Sequence, residues 1–131
     1  MVVVLFDYYI SGYAEWMRRT FLSESWTTLI PIEFLTFDDI GLPMETSDRQ
    51  VWRLIQERRM FLLTGNRNSD GIDSLVATIK EENFPESLPI LTVSRQNDLA
   101  SSNYRAECIT RLVAIAIDLD NFRGVGRLYI P

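Results

Sequence analysis

Short segments that are apolar at every position most constrain what this chain can fold into. Residues 2–6 read V-V-V-L-F and residues 60–63 read M-F-L-L, without the polar alternation of a half-exposed strand. Both segments are too short for helices, and the first is rich in β-branched residues. We therefore predict two strands that are buried on both faces, which is typical of a parallel sheet covered by helices on each side.

The rest of the chain alternates between further strand-like and helix-like segments. Strands are predicted at residues 2–6, 32–37, 60–63, 90–93 and 128–130, and helices at residues 12–22, 48–59, 72–83 and 97–122. This alternation predicts a three-layer α/β/α, Rossmann-like domain with a mainly parallel five-stranded sheet. The first and third strands are the most apolar, so we place them in the centre, in the strand order 2-1-3-4-5. At 131 residues, the chain 1–131 is expected to form a single domain.

Polar residues ahead of the apolar helical stripes mark where the helices are expected to begin. Ser11 is predicted to cap the first helix, and S-D-R-Q at residues 47–50 has the form of a capping box for the second. Ser69 or Asp70 is expected to cap the third helix. The last helical stretch is expected to be interrupted near residues 101–103, and its wide apolar stripe predicts a homodimer built on it.

Composition excludes several kinds of site. The chain has no histidine and a single cysteine, Cys108, which removes histidine-based catalysis and an internal disulfide. A metal site must then rely on oxygen ligands, which favours Mg²⁺, Mn²⁺ or Ca²⁺. The net charge of −5 argues against broad coating of nucleic acid. No apolar run approaches the roughly 20 residues needed to span a membrane, and we expect a cytoplasmic protein without membrane contact.

The carboxyl ends of the central strands are predicted to bring polar side chains together, because ligands bind there in open parallel sheets. The candidates are Asp7 after the first strand, Asp48 at the start of the second helix, and Asn66 and Asn68 after the third strand. Clustered carboxylate and amide oxygens favour a hard divalent cation. Arg67 and Arg95, at the ends of strands three and four, are candidates for phosphate binding. Asp7 and Asp48 can also be explained without a ligand, as a turn cap and as an acid at a helix N-terminus.

Several segments of the chain together resemble the short PIN-like domains. They are Asp7 after a strand, T-F-D-D-I-G-L-P at residues 36–43, S-D-R-Q-V-W at residues 47–52, and a strand followed by T-G-N-R-N at residues 64–68. The resemblance implies a Rossmann-like fold and a PIN-like nuclease of the toxin–antitoxin type. Such a protein is a metal-dependent endoribonuclease that acts on RNA and pairs with an antitoxin-like protein.

Carried over by position, the resemblance implies a set of catalytic residues: Asp7, Asp48, Asn66 and Asn68. It also implies that Asp7, Asp48 and Asn66 hold Mg²⁺ or Mn²⁺. Asn66 and Asn68 stand at the two aspartate positions of the family's T-x-D-x-D pattern, and asparagine keeps a ligating oxygen but lacks the negative charge. Asp70 and Asp73, a few residues on, are further candidates to complete a metal site.

Three functions stay open at this point. The first is a metal-dependent ribonuclease, and the second is a catalytically degenerate PIN-like protein that acts as a protein-binding or homo-oligomeric module. The third is a nucleotide or small-phosphate binder at the same edge of the sheet, although the chain lacks the glycine-rich phosphate-binding motifs.

Overall fold

The computed structural model describes residues 1–24, 29–67 and 70–131. Within these ranges a parallel sheet is covered by helices on both faces. The strands are β1 (Val2–Phe6), β2 (Ile32–Leu35), β3 (Phe61–Thr64), β4 (Ile90–Val93) and β5 (Arg127–Ile130). The helices are α1 (Ala14–Ser23), α2 (Asp48–Arg58), α3 (Leu75–Glu82) and α4 (Ser102–Ile117).

The sheet has the order β2-β1-β3-β4-β5, and every pairing in it is parallel. This confirms the predicted three-layer α/β fold with five strands in the order 2-1-3-4-5. Leu5 of β1 is in register with Leu35 of β2 and with Leu62 of β3. Because the chain adds β2 on one side of β1 and β3 on the other, the carboxyl ends of β1 and β3 form the switch point of the sheet.

Successive side chains of the central strands point to opposite faces and divide the core into two halves. Phe6 and Leu63 pack with residues of α1 and α4, whereas Leu5 and Leu62 pack with residues of α2 and α3. All four side chains are buried. The continuous apolar runs predicted this burial on both faces of the sheet. Because the strands are tightly packed, the residues that follow them are held in defined positions.

The predicted capping box at the start of α2 is present. The Gln50 N–H donates to the Ser47 hydroxyl oxygen, and the Ser47 N–H donates to Oε1 of Gln50. The helix then ends at Arg59, which adopts a left-handed conformation with φ of 56°. This cap fixes the position of Asp48, the first residue of the helix.

The starts of α3 and α1 were predicted wrongly. Ser74 caps α3 by accepting a hydrogen bond from the Ala77 N–H, while Asp70 lies in the turn before it and Ser69 lies outside the described residues. At α1, Ser11 lies within a 3₁₀ turn, Tyr8–Tyr13, and its hydroxyl donates to the Tyr8 carbonyl at 2.7 Å. Serine and aspartate bond to turns as well as to helix ends, so sequence alone does not separate these roles. As a result, residues 8–13 form their own turn over the carboxyl end of β1.

The predicted interruption before the last helix is present. A 3₁₀ turn, Gln96–Ala100, precedes α4, and Ser101 caps the helix. The apolar stripe of α4, which includes Cys108, Ile109 and Leu112, is buried within the chain. The stripe alone therefore does not require a second copy, and the homodimer stays a prediction. No helix in the described ranges is long and apolar enough to cross a membrane.

Candidate active site at the carboxyl edge of the sheet

Asp7 follows β1 directly and lies at the carboxyl edge of the sheet. Its main-chain N–H donates to the Leu63 carbonyl at 2.9 Å, and its Oδ2 accepts the Thr64 hydroxyl at 2.8 Å. Burial raises the pKa of the Asp7 carboxyl and the charge of Asp48 adds to this effect, while hydrogen bonds from Thr64 and the Tyr8 backbone act against it. Asp7 is thus a partly buried carboxyl group whose charge is opposed by a second carboxylate nearby.

Asp48, the first residue of α2, connects three elements of the site. Its Oδ2 accepts the Leu75 N–H at 3.1 Å and the side-chain amide Nδ2 of Asn66 at 2.9 Å. The Leu75 N–H belongs to the first turn of α3, where backbone donors lack partners within the helix and favour a carboxylate. Asp48 therefore connects the starts of α2 and α3 to the turn after β3. A favourable interaction with the dipole of α2 alone would not require these two contacts.

A chain of hydrogen bonds holds Asn66 between the strands. Its N–H donates to Oγ1 of Thr64 at 2.9 Å, and the Thr64 hydroxyl in turn donates to Asp7. Its carbonyl accepts Nη1 of Arg127 at 2.7 Å, and the same nitrogen donates to the Thr92 hydroxyl oxygen at 2.7 Å. Both the main chain and the side chain of Asn66 are therefore held by partners from β3, β5 and α2.

One pocket of about 390 Å³ contains these predicted site residues. It is lined by Asp7, Tyr9, Ile10, Asp48, Gly65, Asn66 and Gln96. The structure thus brings together three of the four residues predicted to be catalytic. The fourth, Asn68, lies outside the described residues.

Gln96 enters the pocket because residue 65 has no side chain. A Cβ atom on Gly65 would lie 1.9 Å from Oε1 of Gln96 and 2.9 Å from its Cδ. The Gln96 carboxamide therefore rests directly on the backbone of Gly65 at the end of β3. Gln96 was not predicted as a site residue, although its place shortly after β4, beside the ends of the central strands, was an available signal.

The two arginines predicted to bind phosphate lie elsewhere along the edge. The Arg67 guanidinium lies 5.3 Å from the centre of the Tyr129 ring. Arg95 lies 4.6 Å from the centre of the Tyr104 ring and pairs with Asp98. Among the described residues, neither lines the pocket of Asp7, and their role in substrate binding stays a prediction.

Arg127 is the arginine that contacts the site residues. Besides its hydrogen bonds through Nη1, its Nη2 is buried and has no hydrogen-bond partner among the residues that the structure describes. Burial lowers the pKa of Arg127, while the charge of Asp48 acts in the opposite direction. Arg127 was not predicted as a site residue, because the fifth strand was predicted to begin at Leu128. The signal was an arginine at the head of an otherwise apolar run, R-L-Y-I.

Asp70 and Asp73 belong to a second pocket beside the first. This pocket has a volume of about 490 Å³ and shares Tyr9 and Asp48 with its neighbour. Asp73 accepts Nε of Arg49 at 2.8 Å, so its charge is already paired. Asp73 is therefore a weaker candidate than Asp48 for a metal ligand.

The donors in the 390 Å³ pocket fit one hard divalent cation. Asp7 and Asp48 offer carboxylate oxygens, and the side chain of Asn66, whose Nδ2 donates to Asp48, also carries an amide oxygen. Mg²⁺ and Mn²⁺ accept such ligands and keep several waters. Residues 1–24, 29–67 and 70–131 contain no group of three or more acidic or cysteine side chains suited to a metal. The donor set therefore suits a single ion better than a two-metal centre.

No protein-family model matches this chain, and no curated protein or solved structure is significantly similar to it.

Proposed function

We propose that this chain is a PIN-like domain that binds one Mg²⁺ or Mn²⁺ ion at Asp7, Asp48 and Asn66 and hydrolyses phosphodiester bonds of RNA. The observation that carries the proposal is that two carboxylates from different elements line one pocket at the switch point of the sheet. In the part of the chain that the structure describes, neither forms an ion pair with a basic side chain. Neighbouring carboxylates that form no ion pair favour the binding of a cation.

The residues around the pocket orient these ligands before a substrate arrives. Thr64 holds Asp7, and the amide of Asn66 holds Asp48. When bound, the ion supplies charge that offsets the phosphate and makes a water molecule more acidic. Arg67 is exposed at the end of β3 and is the proposed phosphate contact. The strand order and the spacing of the motifs support the PIN-like resemblance.

Calorimetric titration of the metal-free protein with MnCl₂ tests the metal site. We expect saturable binding by the wild type and loss of most of the affinity in Asp7→Asn, because the substitution removes one of two anionic ligands. Asp120→Asn is the matched control, since the Asp120 side chain is 97% exposed in the turn after α4. Cleavage of RNA in the presence of Mn²⁺ should follow the same order. Equal cleavage by the wild type and Asp7→Asn would contradict the proposal.

A second function is favoured by the orientation of Asn66. Its amide donates to Asp48, so a neutral hydrogen bond already stabilises this carboxylate without a metal ion. We therefore keep as the alternative a catalytically degenerate PIN-like module that binds a protein partner or its own copy. In that case the wild type binds no Mn²⁺ and cleaves no RNA. Metal-dependent cleavage by the wild type would remove this alternative.

A further inference from the structure

Tyr9 is an exposed aromatic side chain held at the mouth of the pocket. It follows Asp7 by two residues in the 3₁₀ turn Tyr8–Tyr13 and is 77% exposed. Its ring contacts the Tyr8 ring edge to face, with centres 5.5 Å apart, and Tyr8 in turn packs against Phe37. Tyr8 thus packs the turn against the core, while the ring of Tyr9 is exposed to solvent beside the two carboxylates.

Gln96 forms part of the same pocket on the side of β4. Its carboxamide rests on the backbone of Gly65. The pocket therefore combines an aromatic ring, a hydrogen-bonding carboxamide and the carboxylates of Asp7 and Asp48.

We propose that Tyr9 and Gln96 form a binding slot for one unpaired nucleobase of the RNA substrate, which rests on the function proposed above. The Tyr9 ring stacks on the base, a contact that every base can make. The Gln96 carboxamide offers one donor group and one acceptor, which can pair with the polar edge of the base. The sugar–phosphate linkage attached to that base is thereby held beside Asp7 and Asp48.

The charge of the chain explains why stacking must carry much of the binding. The net charge is −5, and the pocket itself contains two carboxylates, so attraction of the phosphate backbone is weak. Stacking on a neutral ring does not depend on this charge balance. A base in a perfect duplex is already stacked and paired, and it cannot enter the slot without being extruded. The slot thus selects unpaired nucleotides.

Fluorescence anisotropy with short labelled RNA strands tests the slot. The assay contains Ca²⁺ in place of Mn²⁺, so that binding is measured apart from cleavage. Tyr9→Ala should weaken binding of a single strand on the order of tenfold, the usual loss for one stacked base. Tyr9→Phe keeps the ring and should bind like the wild type. Leu22→Ala is the control, because Leu22 is an exposed apolar side chain near the far end of α1.

Gly65→Ala provides a second, independent test of Gln96. A Cβ at this position meets mainly the flexible end of the Gln96 side chain, so the carboxamide is displaced at little cost to folding. We expect Gly65→Ala and Gln96→Ala to alter the preference among oligo(A), oligo(C), oligo(G) and oligo(U) in the same way.

Salt should weaken binding of the single strand only slightly, since few phosphates are neutralised.

The possible results test the binding slot separately from the proposed hydrolase activity. Single-strand binding that falls in Tyr9→Ala, with weaker duplex binding that does not change, supports the slot. Equal binding by Tyr9→Ala and the wild type overturns it, even if the wild type cleaves RNA through Asp7. Binding that depends on Tyr9 without cleavage in Mn²⁺ keeps the slot and rejects the hydrolase. Failure of the wild type to bind any RNA rejects the slot.

Discussion

Two clusters of charged side chains begin at neighbouring residues of α2 and differ in how their charges are balanced. Arg49 is only 13% exposed and pairs with three carboxylates, those of Asp73, Glu81 and Glu82. It also donates to the carbonyl of Ile72, and the exposed Arg53 pairs with Glu82 as well. These contacts join α2 to α3 and to the turn before α3.

Asp48, one residue earlier, has no arginine or lysine partner among the described residues. It accepts hydrogen bonds from the neutral groups of Asn66 and Leu75 and stands near Asp7, another acid. Within the described ranges no basic side chain pairs with either carboxylate. Each carboxylate of the Arg49 cluster has a cationic partner, whereas acids kept together without an ion pair are a feature of sites that bind a ligand. Arg49 therefore has the contacts of a structural residue, and Asp48 those of the proposed metal ligand.

The largest effect is expected from Asn66→Asp, which increases the imbalance at Asp48. A third carboxylate should raise the affinity for Mn²⁺ on the order of 100-fold, because each close charge contributes several kcal/mol at an effective dielectric constant near 20. The metal-free protein should melt at a lower temperature, since the hydrogen bond to Asp48 becomes a repulsion. Calorimetry and thermal denaturation in EDTA measure the two effects. Unchanged Mn²⁺ affinity would count against a metal site here.

Arg49→Met should lower the melting temperature by several degrees while leaving Mn²⁺ affinity nearly unchanged. The substitution keeps the apolar stem, removes the arginine that pairs with Asp73 and Glu81, and leaves Glu82 paired with Arg53. Arg53→Met is the matched control and should cost less, because Arg53 pairs only with Glu82 and is far more exposed. If both variants melt like the wild type, Arg49 does not stabilise the fold.

The same cluster predicts a dependence on pH. Hydrogen bonds from Arg53 and Arg49 lower the pKa of Glu82 to about 2. A lowered pKa stabilises the fold above the ordinary pKa of glutamate, and this contribution is lost as the pH falls towards 2. The difference in melting temperature between the wild type and Arg49→Met should therefore narrow in acid. A constant difference across this range would contradict the assignment.

A smaller effect is expected from Asp7→Asn in metal-free protein at neutral pH. Burial raises the pKa of Asp7, so its ionised form costs stability at any pH above the ordinary aspartate pKa, and the cost is absent below it. Asparagine removes the buried charge and should raise the melting temperature by a few degrees in EDTA. The gain should shrink as the pH falls. A lower melting temperature at neutral pH would show that the contact with Thr64 matters more than the burial of charge.

The smallest effect is expected from Arg127→Lys. A lysine ammonium can keep one of the two contacts, to the Asn66 carbonyl or the Thr92 hydroxyl, and the lost hydrogen bond costs about 1 kcal/mol. Arg127→Met loses both contacts and should cost more. Urea denaturation measures both variants, and equal stability of the two would show that the guanidinium does not hold the turn after β3.

Much of the fold could be predicted because it depends on local pattern and chain order. Continuous apolar runs indicated β1 and β3, and alternation with helices led to the strand order that the sheet shows. Ser47 and Gln50 formed the predicted capping box because both partners lie within one turn. The cap of α3 was missed because several polar residues in a row can each serve, and packing selects Ser74.

The meeting of Asp7, Asp48 and Asn66 follows from chain order, because parallel strands bring their carboxyl ends to one edge of the sheet whatever the details of the packing. The balance of their charges depends instead on contacts between elements that are distant in the chain. Arg127 contacts Asn66, which lies 61 positions away in the chain. The absence of a side chain at Gly65 leaves room for the carboxamide of Gln96. Such contacts depend on the spacing between packed elements, which no local pattern encodes. The positions of the two acids could thus be predicted from chain order, whereas the residues that contact them depend on how the elements pack.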